Sequence, residues 1–226
     1  MNQAIVQSIA GITLVGGGPV PATLFRKALQ RAPRVVAADG GADRCLALGV
    51  MPEAVVGDMD SISAKAWAAV GPDRLHRVAE QETTDFDKAL RSVSAPVVIG
   101  VGFMGARVDH GLAVFNALVR SAQPCLLLGP KDVVFHVPGD LDIAMRKGDR
   151  FSLFPLARVT GRSTGLHWPL DGLHFAPNGM IGTSNRVTGP QVSLRMSGPG
   201  MLCILPATRL DQALAALSAR AATLSR

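Results

Sequence analysis

Four short segments set carboxylates beside small residues: Asp39-Gly40-Gly41, Gly57-Asp58-Met59-Asp60-Ser61, Thr84-Asp85, and Gly102-Phe103-Met104-Gly105-Ala106-Arg107-Val108-Asp109-His110. Asp58 and Asp60 are two residues apart, so in extended backbone both side chains leave one face. Two unit charges about 4 Å apart repel by about 4 kcal/mol at an effective dielectric of about 20, and a pair held this way calls for a cation. With oxygen donors and no Cys/His cluster, the hard ion Mg²⁺ is favoured over zinc. Mg²⁺ keeps several waters and completes its shell with substrate phosphates. The acidic loops therefore point to a magnesium-bound polyphosphate nucleotide and to phosphoryl-type transfer.

Glycines and cations fit the same chemistry. Gly16-Gly17-Gly18 and Gly40-Gly41 let backbone approach a phosphate closely. Neither makes a GxxxxGK[ST] loop or a full GxGxxG, which argues against an ordinary P-loop kinase. Arg107 lies in a glycine-rich loop, and its guanidinium fork matches phosphate oxygens. Lys88 either reaches a phosphate or pairs at the surface with Asp85 or Asp87. Asp43 and Asp73 read as helix caps.

The elements that must position these groups follow from apolar patterning. Ile12–Val15, Val35–Ala38, Ala54–Val56 and Val97–Val101 are continuous apolar runs. Helical stretches intervene over Ala22–Gln30, Ala42–Leu48, Ser63–Val70, from Thr84 onward, and over Val108–Arg120. Ser63 is a cap residue, and Thr84 with Asp87 has capping-box spacing. The alternation predicts a mostly parallel sheet with flanking helices, whose ligands bind beyond the carboxyl ends of the strands, where the acidic loops fall. The texture changes near Pro130. Short β-leaning runs at Val133–Val137, Arg150–Leu156, Val159–Thr160, Gln191–Met196 and Met201–Leu205 predict an antiparallel sandwich or barrel. After Thr208-x-x-Asp211, a capping-box spacing, Leu210, Leu214, Leu217, Ala221 and Leu224 recur at helical intervals. The fold class is thus α/β, with an α/β domain over 1–131, a sandwich-like all-β domain over 132–206 and a C-terminal helix over 207–226.

Taken in this order, Ala38-Asp39-Gly40-Gly41-Ala42, Gly57-Asp58-Met59-Asp60-Ser61, Thr84-Asp85-Phe86-Asp87-Lys88-Ala89-Leu90 and Gly102-x-x-Gly105-x-Arg107-x-Asp109-His110 closely resemble the thiamine pyrophosphokinase (thiamine diphosphokinase) family over roughly 11–206. The resemblance implies transfer of a pyrophosphoryl group from ATP to the thiamine hydroxyl, with release of AMP. It implies a catalytic cluster of Asp39, Asp58, Asp60 and Asp85, with Mg²⁺ on Asp58, Asp60 and Asp85. Gly16, Gly17, Gly40, Gly41, Lys88, Arg107, Asp109 and His110 would bind ATP. It also implies a homodimer whose active site lies between subunits. Gly165-Leu166-His167-Trp168-Pro169-Leu170 resembles the thiamine-side loop and Thr183-Ser184-Asn185 its companion. Trp168 would stack on the cationic thiazolium, a contact of about 0.5–2 kcal/mol, with Ser184 and Asn185 adding hydrogen bonds. Trp67 is expected to pack. The family's Phe, Asp-Gln-Asp and second loop glycine stand here as Met59, Glu80-Gln81-Glu82 and Ala106.

Composition bounds the alternatives. The chain has 226 residues, 48% hydrophobic and 18% charged, enough to bury a core, and a net charge of +6. Residues 1–132 carry 13 basic and 12 acidic groups, and 133–226 carry 10 and 5. Aromatics are 4%, with no Tyr, which disfavours a stacked nucleic-acid platform. No apolar run spans a membrane. The N-terminus lacks a basic n-region, and the three scattered cysteines Cys45, Cys125 and Cys203 fit a reducing cytoplasm. The expected partners are ATP and thiamine, with neither nucleic acid nor membrane. Another Mg-ATP-dependent transferase on the same scaffold, and a non-enzymatic nucleotide or thiamine sensor, are the competing readings.

Overall fold

The computed structural model describes residues 4–80, 82–105 and 107–224. Gln81 and Ala106, singled out above as departures from the family pattern, lie outside them. The chain forms two units, Met1–Pro130 and Lys131–Arg226.

In the first unit the strands are β1 (Val6–Gln7), β2 (Ile12–Val15), β3 (Arg34–Ala38), β4 (Ala54–Gly57), β5 (Leu75–Arg77), β6 (Val93–Ser94), β7 (Val98–Val101) and β8 (Cys125–Leu128). The helices are α1 (Ala22–Leu29), α2 (Gly41–Ala47), α3 (Ala64–Val70), α4 (Asp85–Arg91) and α5 (Val108–Arg120). Six strands make one parallel layer in the order β8-β7-β2-β3-β4-β5, while β1 and β6 pair separately. All residues of β2, β4, β7 and β8 are buried, which explains why these strands read as unbroken apolar runs. From β2 the chain builds outward through β3, β4 and β5, then returns to lay β7 on the other side of β2. The order reverses between β2 and β7, and the crevice beyond their carboxyl ends is where such sheets bind ligands.

Local sequence explains the helix starts. The Ser63 hydroxyl accepts from Ala66 N at 3.1 Å, and Thr84 Oγ1 accepts from Asp87 N at 3.4 Å. Asp87 turns instead to Arg120, at 2.7 Å. Asp43 does not cap its own helix: Gly40 is the N-cap of α2, with no side-chain cap. Asp73 sits inside a 3₁₀ turn, Pro72–Arg74. Trp67 does not pack as expected, since α3 buries Ala66 and Val70 and leaves Trp67 46% exposed.

The second unit holds β9 (Asp132–Val137), β10 (Asp140–Ala144), β11 (Arg150–Pro155), β12 (Val159–Thr164), β13 (His174–Phe175), β14 (Gly182–Arg186), β15 (Gln191–Met196), β16 (Met201–Pro206) and α6 (Leu210–Leu224). Its strands form two antiparallel runs, β14-β11-β16-β9 and β10-β15-β12-β13. Alternation along β10 and β15 buries Leu141, Ile143, Val192 and Leu194 and turns the charged residues outward, the one-sided burial of a sandwich layer. Thr208 does not cap α6, because it lies in a 3₁₀ turn, Ala207–Arg209, that runs into the helix. Arg209 closes that turn onto Asp149 with two bonds of 2.7 and 2.8 Å, and α6 packs along β10.

Candidate active site

Four loops and one helix start meet at the carboxyl edge of the parallel layer. Their close approach depends on glycine. A Cβ on Gly41 would lie 2.0 Å from the Val15 carbonyl oxygen, so only glycine lets α2 start against the end of β2. Gly16 and Gly102, ending β2 and β7, are equally tight: a Cβ on either would fall 2.7 or 2.6 Å from the other's carbonyl oxygen. Two non-glycine residues here, Asp39 (φ 42°) and Met59 (φ 70°), hold left-handed backbone, a conformation that costs energy and clusters at functional sites.

The acidic residues converge. Asp39, Asp58 and Asp60 each offer a carboxylate oxygen, and these oxygens lie within 4.8 Å of one another. Three oxygen donors at this spacing suit a hard divalent ion. Asp39 is buried, and both of its oxygens accept from Ser61 N at 3.3 Å. Burial pushes its carboxyl up to about 6; the Ser61 N–H opposes this, while Asp85, Asp58 and Asp60 add to it. Asp60 accepts from the Ser61 hydroxyl at 2.7 Å.

Asp85 joins the group through Lys88 rather than through the three-carboxylate cluster. Lys88 Nζ lies 3.2 Å from Asp58 and 3.7 Å from Asp85, with its side chain only 2% exposed. Of the two expectations for Lys88, the exposed surface pairing does not hold: it is an interior counter-charge on the cavity wall, and its partners are Asp58 and Asp85, not Asp87. Partial burial would raise the Asp58 carboxyl, but the Lys88 ammonium and the Asp60 N–H outweigh it and hold it below the ordinary carboxylate range. Asp85 moves the other way: burial and then the Asp58 charge raise its carboxyl, against the pull of Lys88.

A cavity of about 460 Å³ opens beside these groups. Of the expected nucleotide residues, Gly16, Gly17, Gly40, Lys88, Arg107 and His110 line it, together with Asp58 and Asp85, whereas Gly41 and Asp109 are not on its wall. Asp109 stands apart from the acidic cluster. It pairs with Arg107 at 2.6 and 3.1 Å on the surface, and this pairing holds its carboxyl below the usual range. Sequence reasoning gave no role to Phe86 and Phe103, whose rings meet edge to face at 4.7 Å on the cavity wall. It also passed over Ser61 and Thr83; their position beside Asp60 and Thr84 was the available signal.

The residues expected on the thiamine side lie in the second unit. Trp168 is 56% exposed, so it is not a core anchor. Its ring meets His167 edge to face at 4.5 Å. Asn185 is buried and binds the backbone of Trp168 twice: its Oδ1 accepts from Trp168 N at 3.1 Å, and its Nδ2 donates to Trp168 O at 2.7 Å. Oδ1 also accepts from Arg186 N at 2.8 Å. The amide thus pins the Trp168 loop, and little of its hydrogen-bonding capacity is left for a ligand. Ser184 is exposed with φ 61°, and its N–H donates to the Ser152 hydroxyl at 2.9 Å. Trp168, Leu170, Phe175, Ile181 and Asn185 are among the residues lining a cavity of about 160 Å³.

Comparison with known proteins identifies the lineage of this arrangement. The family model of the thiamin pyrophosphokinase catalytic domain matches residues 25–127, and that of the thiamin pyrophosphokinase vitamin B1 binding domain matches residues 133–199. Thiamin pyrophosphokinase 1 of Caenorhabditis elegans is 27% identical over 195 residues, covering 77% of this chain and 78% of the relative. The thiamine pyrophosphokinase of Bacillus subtilis is 27% identical over 165 residues, 67% of this chain and 77% of the relative. Among solved structures, the thiamin pyrophosphokinase from Candida albicans superposes with a TM-score of 0.72 at 16% identity, covering 90% of this chain and 93% of that one. The enzyme from Geobacillus thermodenitrificans gives 0.69 at 24% identity, covering 86% and 96%. The structures establish the α/β-plus-antiparallel fold, the two successive domain matches account for both units, and the chain belongs to the thiamin pyrophosphokinase family.

Proposed function

We propose that this enzyme transfers the pyrophosphoryl group of ATP to the hydroxyl of thiamine, giving thiamine diphosphate and AMP. Beyond family membership, the observation that carries the reading is the convergence of Asp39, Asp58 and Asp60 within 4.8 Å beside the glycine loop, at the reversal of strand order. The donors fit magnesium, with Asp58 and Asp60 as direct holders, Asp39 between them and Ser61, and Asp85 across Lys88. When bound, Mg²⁺ supplies charge neutralisation on the polyphosphate and on the leaving group.

The chain's own residues do the rest. Gly16 and Gly17 admit phosphates close to the backbone, and Arg107 at the cavity mouth offers a guanidinium fork to phosphate oxygens. Lys88 keeps Asp58 ionised and tethered. Asp39 and Asp85 both sit above the ordinary carboxylate range, and Asp85 is the one on the cavity wall, so it takes the proton from the attacking hydroxyl. Trp168 offers an exposed ring to the cationic thiazolium, held in place by Asn185. We further propose a cytoplasmic homodimer in which one protomer's Trp168 loop serves the other's acidic site. The exposed apolar side chains Trp168, Met180 and Ile181, and the buried free thiols of Cys45, Cys125 and Cys203, support this reading. Among the described residues no helix is long and apolar enough to cross a membrane.

The test is incubation with ATP, Mg²⁺ and thiamine, followed by separation of nucleotides and thiamine esters. AMP and thiamine diphosphate in equal amounts are expected, and ADP with thiamine monophosphate would refute the reaction. Asp58→Asn should lower turnover on the order of 10³-fold. Mixing inactive Asp58→Asn with Trp168→Ala should restore part of the activity through hybrid dimers; no recovery in verified hybrids would refute the shared site.

A further inference from the structure

Asp43 and Arg44 are consecutive on α2, and each reaches a different loop of the site. Asp43 Oδ2 accepts from Ser63 N at 3.0 Å, and its Oδ1 accepts from the Ser63 hydroxyl. Ser63 in turn caps α3. The loop bearing Asp58 and Asp60 is thereby tied at its far end to α2, while its near end continues from β4. Arg44 Nε donates to Gly17 O at 3.1 Å, holding the glycine loop from the same helix. The helix itself is fixed against β2 by the contact of Gly41 with Val15. Neither Asp43 nor Arg44 is on the cavity wall, so neither meets substrate directly.

A loop crowded with carboxylates tends to spread under its own repulsion. Paired, charge-assisted hydrogen bonds to a fixed helix oppose that movement. We propose that Asp43 and Arg44 are positioning residues which, through α2, set the separation between the carboxylate loop and the glycine loop. That separation is what a divalent cation and the phosphates it shares must match. The proposal rests on the magnesium–ATP reading above.

The test measures binding rather than turnover. Mn²⁺ affinity is read by electron paramagnetic resonance, affinity for a nonhydrolysable ATP analogue at saturating Mg²⁺ by calorimetry, and thermal stability alongside. Asp43→Ala should weaken Mn²⁺ binding about tenfold, and Arg44→Ala should weaken the analogue about tenfold while leaving Mn²⁺ binding without nucleotide unchanged. Asp43→Asn, which keeps an acceptor for Ser63, should recover most of the Mn²⁺ affinity. Should Asp43→Ala fail to fold, Ser63→Ala removes half of the tie and should shift Mn²⁺ binding about threefold in the same direction. Wild-type Mn²⁺ affinity in Asp43→Ala or Ser63→Ala, equal impairment in Asp43→Asn, or unchanged analogue binding in Arg44→Ala would overturn the proposal. A wild-type protein that binds neither Mn²⁺ nor the analogue would overturn the magnesium–ATP reading itself.

Discussion

Replacing Asp39 by Asn should stabilise the metal-free fold at neutral pH while removing function. The Asp39 carboxyl, buried beside three other carboxylates, is raised from 3.8 to about 6. An acid whose folded pKa is raised holds its proton in the folded state where the unfolded chain has lost it. Between pH 3.8 and about 6, stability therefore falls as pH rises, and above that window the full penalty is present. At about 1.4 kcal/mol per pH unit the displacement amounts to about 3 kcal/mol. Asn keeps an acceptor for the Ser61 N–H and tolerates the left-handed backbone at φ 42°. In urea unfolding with chelator, Asp39→Asn should exceed wild type by about 3 kcal/mol more at pH 8 than at pH 4, moving the midpoint by about 1 M. Comparing two pH values removes any fixed effect of the amide. A difference that stays constant with pH, or one that favours wild type at pH 8, would refute the charge argument. Saturating Mg²⁺ should raise the stability of wild type more than that of the variant, which keeps Asp58 and Asp60 but lacks the third carboxylate.

Other perturbations follow from the same geometry. Lys88→Met leaves Asp58 and Asp85 without their interior cation and should destabilise the first unit by about 3 kcal/mol in denaturant titration at pH 7, with the loss shrinking toward pH 4 as the carboxyls protonate. Gly41→Ala puts a methyl against the Val15 carbonyl and should cost about 3 kcal/mol by the same measurement, whereas Gly49→Ala, with open space around it, should cost less despite its positive φ. Asn185→Ala frees the Trp168 loop and should raise KM for thiamine about tenfold with KM for ATP unchanged; equal shifts in both would point to a folding defect instead.

How much of this was legible in the sequence depended on the range over which each feature is determined. The buried strands β2, β4 and β7 announce themselves by continuous apolar runs, and Ser63 and Thr84 mark helix starts because their partners lie three residues on. The acidic loops were legible because each follows a strand end. β5, Leu-His-Arg at the sheet edge, and β14, Gly-Thr-Ser-Asn-Arg, were not, because neither carries an apolar signal. β10 has perfect alternation, yet its acidic outward residues disguised it as a loop. The contacts of Asp43 and Lys88 are not legible locally, because their partners Ser63 and Asp58 are 20 and 30 residues away. The hold of Asn185 on the Trp168 loop is likewise not legible, since Trp168 is 17 residues away.

The reciprocal contact of Gly16 with Gly102 bears on how this chain can vary. A side chain at either position collides with the main chain of the other, within 2.7 Å, and trimming Phe103 or Val20, whose side chains also crowd these positions, leaves that collision in place. Most tight packing contacts permit second-site suppression, a large residue here offset by a smaller one there. This one does not, because no amino-acid choice removes a carbonyl oxygen. In a pairwise mutational scan, the two positions should be jointly intolerant without mutual rescue. The junction of β2 and β7 would then be a point of near-zero evolvability beside loops that remain free to change.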